Sequence, residues 1–195
     1  MNGVRQFAWT SRILHWLMAA MILAMLFIGF AMVVSLADYH LLLSLHRPLG
    51  IAILALAAVR FLNRRLTTLP PFPPTMSPSE RRVASLSERL MYALMFAVPL
   101  VGWAMLSAAR FPIVLYGPIR LPPILPVDPV VFSILRTVHT VLAYAFFFTV
   151  IAHVTAVLFH TLVIRDRLLE RMVPWRAALP PSAARAKDVG DPPPA

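Results

Sequence analysis

The sequence predicts an all-α fold, a four-transmembrane-helix bundle, and its composition and patterning are what predict it. The chain has 195 residues, 59% hydrophobic and only 13% charged, with a mean hydropathy of +0.76. Soluble domains carry about 25% charged residues, so this composition belongs to an integral membrane protein. Its apolar residues fall into four long runs separated by arginine- or proline-rich connections. There are no cysteines, which excludes disulfides, thiolate ligation, iron–sulfur clusters and covalent c-type haem attachment together. The formal net charge of +10 suggests nucleic acid at first sight. The basic residues, however, cluster at the ends of apolar runs, where they act as topology determinants.

The first charge-free run, 13–37, is 25 residues long, enough to cross a bilayer, which takes about 20. Ser35, Leu36 and Ala37 faintly resemble a signal-peptidase site, but the run is about twice the length of a signal core and reads as a retained helix. The second span, 46–63, has only 12 charge-free residues between Arg47 and Arg60 and needs Arg60 to snorkel. Pro48 suits the first turn of that helix, where a missing N–H costs little. The third span is 90–109. The fourth, 133–164, is built on the 28-residue charge-free run 137–164 and projects beyond the lipid. Residues 66–79 hold Pro70, Pro71, Pro73, Pro74 and Pro78 and read as a stiff non-helical linker. Residues 110–130 form a loop with six more prolines and a single acid, Asp128. Residues 1–173 thus make one domain, followed by a disordered Pro/Ala-rich tail, 174–195.

Orientation follows from the arginines. Arg5, Arg12, Arg60, Arg64, Arg65, Arg81, Arg82, Arg89, Arg165, Arg167, Arg171 and Arg176 fall on one side; Arg47, Arg110, Arg120 and Arg136 fall on the other. Twelve against four puts both termini in the cytoplasm.

Four histidines lie inside or at the edges of these spans. His139 and His153 are 14 residues apart, which on a helix is about 21 Å along the axis and about 40° around it. Both therefore face one side at two depths. The topology puts His46 beside His139 in an outer layer and His15 beside His153 in an inner one. Titratable groups in lipid are costly and are retained for a partner or a function. Paired imidazoles at two depths point to two metal centres, and bis-imidazole haem b is the centre that suits them, closed to oxygen and fit for electron transfer. His160, one heptad beyond His153, matches the depth of His15 better and stays an alternative to it. His40, beside Asp38 and Tyr39, reads as a residue of the outer loop.

Competing chemistries lack residues. No carboxylate or thiol accompanies the imidazoles within the spans, against zinc or copper. The sole lysine is Lys187 in the tail, against a retinal Schiff base. A proton-coupled transporter would carry acids inside its helices, whereas Asp38, Glu80, Glu88, Asp128, Asp166 and Glu170 lie at ends or in loops. Arg60, 14 residues after His46, points toward the inner layer, to snorkel or to pair with a haem propionate. Arg47 and Arg136 stand near the outer histidines, placed for propionates or an anionic reactant. Gly50 and Gly102 permit close approach of a macrocycle or of another helix. Phe146, Phe147 and Phe148 read as packing or lipid-facing residues, and Trp16 as an interfacial anchor.

Arg12-Ile13-Leu14-His15-Trp16 opening the first span resembles the bacterial cytochrome b561 family. His46-Arg47-Pro48-Leu49-Gly50 followed by Val59-Arg60 resembles that family's second helix. Tyr92-Ala93-Leu94-Met95 through Pro99-Leu100-Val101-Gly102-Trp103 resembles its histidine-free third. His139-Thr140-Val141-Leu142-Ala143 through His153, then His160 and Arg171-Met172-Val173-Pro174, resembles the fourth helix and its exit. The resemblance covers roughly residues 8–176. It implies a diheme b-type cytochrome of the bacterial inner membrane that exchanges electrons with the quinone pool, with His15, His46, His139 and His153 as iron ligands, and so favours His153 over His160. One branch it resembles oxidises superoxide outside and reduces ubiquinone. The same module resembles the cytochrome b subunits of hydrogenases and formate dehydrogenases, so a membrane anchor serving a soluble redox partner protein is the alternative. A non-haem transporter or structural bundle is a further one, and it predicts a colourless protein.

Overall fold

The computed structural model describes residues 6–166 and 168–173. Four helices long and apolar enough to cross a membrane follow one another: α1 (Trp9–Val34), α2 (Tyr39–Leu66), α3 (Pro78–Ala108) and α4 (Pro129–Phe159), the last continuing as a π turn over His160–Ile164. The four-helix expectation holds. The starts of α3 and α4 differ from the apolar runs because caps, and not hydropathy, decide where these two helices begin.

Helix α1 ends early. Ser35 leaves helical geometry, its hydroxyl donating to Asp38 Oδ2 at 2.9 Å. Helix α2 then starts directly at Tyr39, so His40 lies in its first turn and not in a loop. Pro48 is consequently interior to the helix, three turns in, and not in its first turn. Its missing N–H leaves the Ser44 carbonyl without the usual donor, and the Leu41-Leu42-Leu43 run carries the helix upstream regardless.

Helix α3 begins twelve residues before the apolar run, at Pro78, which is therefore a helix-starting residue and not part of the linker. Ser77 Oγ accepts from Glu80 N at 3.3 Å while the Glu80 carboxylate accepts from Ser77 N at 2.7 Å, a complete capping box. Asp128 does the same for α4: its Oδ1 accepts from Val130 N at 2.8 Å and Val131 N at 3.1 Å. With Pro129 at the first position, α4 starts four residues earlier than the sequence suggested.

The loop 110–130 contains a two-stranded antiparallel hairpin, β1 (Ile113–Tyr116) and β2 (Ile119–Leu121), that sequence reading missed. Gly117 turns it at φ +52°, where a side chain would be strained. Trp103 Nε1 donates to the Pro122 carbonyl at 3.0 Å and Ile124 N donates to Ser107 Oγ at 3.1 Å, which fastens the loop to the end of α3.

At the opposite end, the segments flanking the bundle clasp each other. Phe7 N donates to the Arg171 carbonyl at 3.1 Å, Gln6 Nε2 to that of Glu170 at 3.1 Å, Arg12 Nη1 to that of Val173 at 2.9 Å and Trp16 Nε1 to that of Met172 at 2.9 Å. Arg171, buried, reaches the Pro71 carbonyl and covers the Phe7 ring. Burial lowers its guanidinium below the usual arginine range, partly offset by Asp166. The tail expectation for 174–195 lies outside the described residues.

The core is a belt at mid-bundle: Met18 and Ile22 of α1, Ile53 and Ala57 of α2, Leu94 and Met95 of α3, Phe146 and Val150 of α4. Phe146 is thus a core residue, whereas Phe147 and Phe148 are exposed on the outer surface of the bundle. Ser77→Ala should lower stability by about 1 kcal/mol, the usual value of a helix cap; reversible unfolding in detergent measures it.

Candidate functional site

The histidines occupy both sides of that belt, each pair bridging two helices. On the hairpin side, the His46 ring of α2 faces the His139 ring of α4 with centroids 6.2 Å apart. On the side of the clasp, His15 of α1 faces His153 of α4 at 6.5 Å. A metal between two imidazoles, about 2.0–2.1 Å from each nitrogen, sets their centroids about 6.3 Å apart. Two rings in simple edge contact also reach this distance. What edge contact does not explain is its occurrence twice, between histidines each time, at the two depths that the helical spacing of α4 fixes.

The His46–His139 pair is built by α3, which contributes no histidine. His139 Nδ1 lies 3.1 Å from the Val98 carbonyl oxygen. A carbonyl only accepts, so Nδ1 carries the proton and Nε2 keeps its lone pair. Gly102, one turn further along α3, makes room for the ring: a Cβ there would stand 3.1 Å from His139 Cε1 and 3.3 Å from Nδ1. Gly50 is different, since a Cβ there would meet only Met25 Cε at an ordinary 3.6 Å. His46 Nδ1 is buried without a hydrogen-bond partner among the described residues. A buried orphan of this kind costs roughly 1–3 kcal/mol unless something satisfies it.

At the His15–His153 pair, Arg60 turns into the bundle and does not snorkel. Its Nη2 stands 3.0 Å from His15 Nδ1 and its guanidinium lies 5.8 Å from the Tyr92 ring centroid. Buried acceptors inside the bundle outcompete the membrane surface for this side chain. Arg47, next to His46, is half-buried with its Nε unpartnered among the described residues. Arg110, Arg120 and Arg136 are exposed at the same end as the hairpin.

His160 stands apart from both pairs. Its Nδ1 meets Asp166 Oδ2 at 2.6 Å, the carboxylate being almost wholly buried. The chain returns Asp166 to the ring because the π turn ends at Arg165 in left-handed geometry. His15 therefore faces His153. Val98, Tyr92 and Asp166 were not legible as partners of the histidine and arginine side chains: a carbonyl partner leaves no trace in the sequence, and the six-residue offset from His160 to Asp166 matches no helical face.

Four membrane-length helices presenting two tiers of paired imidazoles define a class of small multi-pass membrane protein built for electron transfer. The sequence profile of prokaryotic cytochrome b561 matches residues 6–175, and the chain belongs to that family, whose members are bacterial membrane electron-transfer proteins carrying b-type haem. It is 27% identical over 175 residues to cytochrome b561 homolog 2 of Escherichia coli K12, covering 88% of this chain and 93% of that one. It is 31% identical over 130 residues to the probable superoxide oxidase CybB of Yersinia pestis, covering 67% and 73% respectively. Cytochrome b561 homolog 1 of Escherichia coli K12 is 25% identical over 140 residues, 72% of this chain and 79% of that one.

Gly102→Ala should disturb the His139 ring, visible as a weakened or shifted b-type absorption band. Gly50→Ala, with room for its methyl, should leave the spectrum unchanged.

Proposed function

We propose that this chain is a diheme cytochrome that carries electrons across the inner membrane to the quinone pool, with both termini in the cytoplasm. The observation that carries this reading is the pair of iron-sized gaps, 6.2 and 6.5 Å between ring centroids, spanned by histidines of separate helices. Among the described residues no cluster gathers three or more His, Cys, Asp or Glu. Two imidazoles from separate helices at each tier are the residues that would hold a haem iron.

His46 and His139 would hold the outer haem, His15 and His153 the inner one. Bound haem supplies a one-electron Fe(III)/Fe(II) carrier at each tier. Val98 fixes the His139 tautomer so that Nε2 faces the gap. Coordination of His15 through Nε2 would return its Nδ1 proton, leaving Nδ1 and Arg60 as two donors facing one another. Arg60 and the His15 Nδ1 proton would then offer hydrogen bonds to an anionic group of the haem, and Arg47 would offer one beside His46. The apolar belt from Met18 to Val150 keeps water from between the tiers.

Superoxide is the outer donor that this arrangement suits, in line with the name of the Yersinia pestis relative. Arg47, Arg110, Arg120 and Arg136 would draw the anion to the outer tier. Each superoxide gives up one electron and leaves as O2; two such electrons and two protons convert quinone to quinol.

Purified protein should contain two haem b per chain by pyridine haemochrome assay, and a value of one or zero refutes the pairing. His139→Ala should lose the outer centre alone, whereas His160→Ala should keep both. Superoxide-driven quinone reduction should slow at high salt and in an Arg47→Gln/Arg136→Gln variant. A rate indifferent to both would count against superoxide and for a soluble protein donor.

A further inference from the structure

The first three turns of α3 lie between the linker and the apolar run that starts at Leu90, and they carry arginines that neither histidine pair uses. An open groove of about 430 Å³ runs along them, lined by Arg81, Arg82, Ser85, Leu86 and Arg89. Arg82, Ser85, Leu86 and Arg89 are spaced i, i+3, i+4 and i+7, so they share one face of the helix. Arg81 forms a fixed wall: its Nε donates to the Met76 carbonyl at 3.0 Å and its Nη2 to that of Pro73 at 3.4 Å.

The acids nearby are already engaged. Glu88 is bridged by Arg64 at 2.8 Å, and Glu80 is held by Ser77 N at 2.7 Å and Ser77 Oγ at 2.8 Å. Among the described residues, no carboxylate lies within 4 Å of Arg82 or Arg89. Two guanidinium groups and a hydroxyl thus share a face with no counter-charge, a donor set that matches phosphate oxygens. Directly beside them Val83, Leu86 and Leu90 are exposed at 67%, 65% and 45%, and this apolar surface continues down the span. A ligand that fits is charged at one end and apolar at the other.

We propose that this groove binds the phosphate of an anionic phospholipid, with its acyl chains lying along Leu86 and Leu90. The site is independent of the haem reading. The phosphate is bound by Arg82 and Arg89 with Ser85 between them, and Arg81 keeps the wall in place. General attraction of a basic membrane protein to anionic lipid would not depend on which arginines are present; a site does.

The full-length protein in detergent, titrated with phosphatidylglycerol, phosphatidylcholine or inorganic phosphate and read by native mass spectrometry, tests this. Phosphatidylglycerol should be retained in preference to both others. Arg82→Gln/Arg89→Gln should weaken its retention about tenfold or more. Arg65→Gln/Arg165→Gln, which removes two charges from the same end, should change it less than about twofold. An unaltered absorption spectrum would show that both variants fold. Equal losses in the two variants, or no loss in either, would overturn the proposal. So would wild-type protein that retains phosphatidylcholine or free phosphate as well as phosphatidylglycerol, a result that needs no variant.

Discussion

Lipid offers no hydrogen bonds, so a polar side chain inside a membrane helix must be satisfied by its neighbours. That constraint organises this bundle. His15, His46, His139 and His153 have their rings turned inward against a histidine of another helix. Helix α3 has no histidine, yet it lies against α4 closely enough for a carbonyl of Val98 to reach His139, and Gly102 permits that approach. The same demand brings Arg60 to His15, where a longer reach to the surface would have left both groups without a partner inside.

The apolar belt and the two polar tiers define each other. Phe146 stands seven residues from each histidine of α4, buried at the level of Met18, Ile53 and Leu94. Large side chains on all four helices meet there, which holds the helices apart by a set distance and repeats that distance at the tier on either side. The two ring separations, 6.2 and 6.5 Å, agree to within a few tenths of an ångström on either side of one shared core. Hairpin and clasp then close the two ends, one fastened through Trp103 and Ser107, the other through Arg171.

Much of this was readable in the residues. Four apolar runs gave four helices, and 14-residue spacing on α4 gave two depths. Helix ends were less readable, because hydropathy marks where the lipid lies and not where a helix begins. Ser77 and Asp128 extend α3 and α4 into water by supplying caps. The hairpin hid among prolines, although Ile113 to Tyr116 is a β-prone stretch and Gly117-Pro118 a turn signal. Arg60 stayed open between surface and interior, since a charge between apolar residues also suggests escape to the surface, and only the neighbouring helix reveals an internal acceptor. His160 was ambiguous by depth alone; its partner Asp166 lies beyond a helix end, where periodicity carries no information.

Helix α4 supplies one ring to each tier, and it is the last of the four to leave the ribosome. Neither tier can form while only the first three helices are in the bilayer, so for that interval His15 and His46 face a groove with no opposing ring. The residues that lock Phe7 and Trp16 in place follow α4 still later, at 169–173. Pairing of the histidines therefore waits on the insertion of α4, and a chain cut short before that helix would lack both pairs at once.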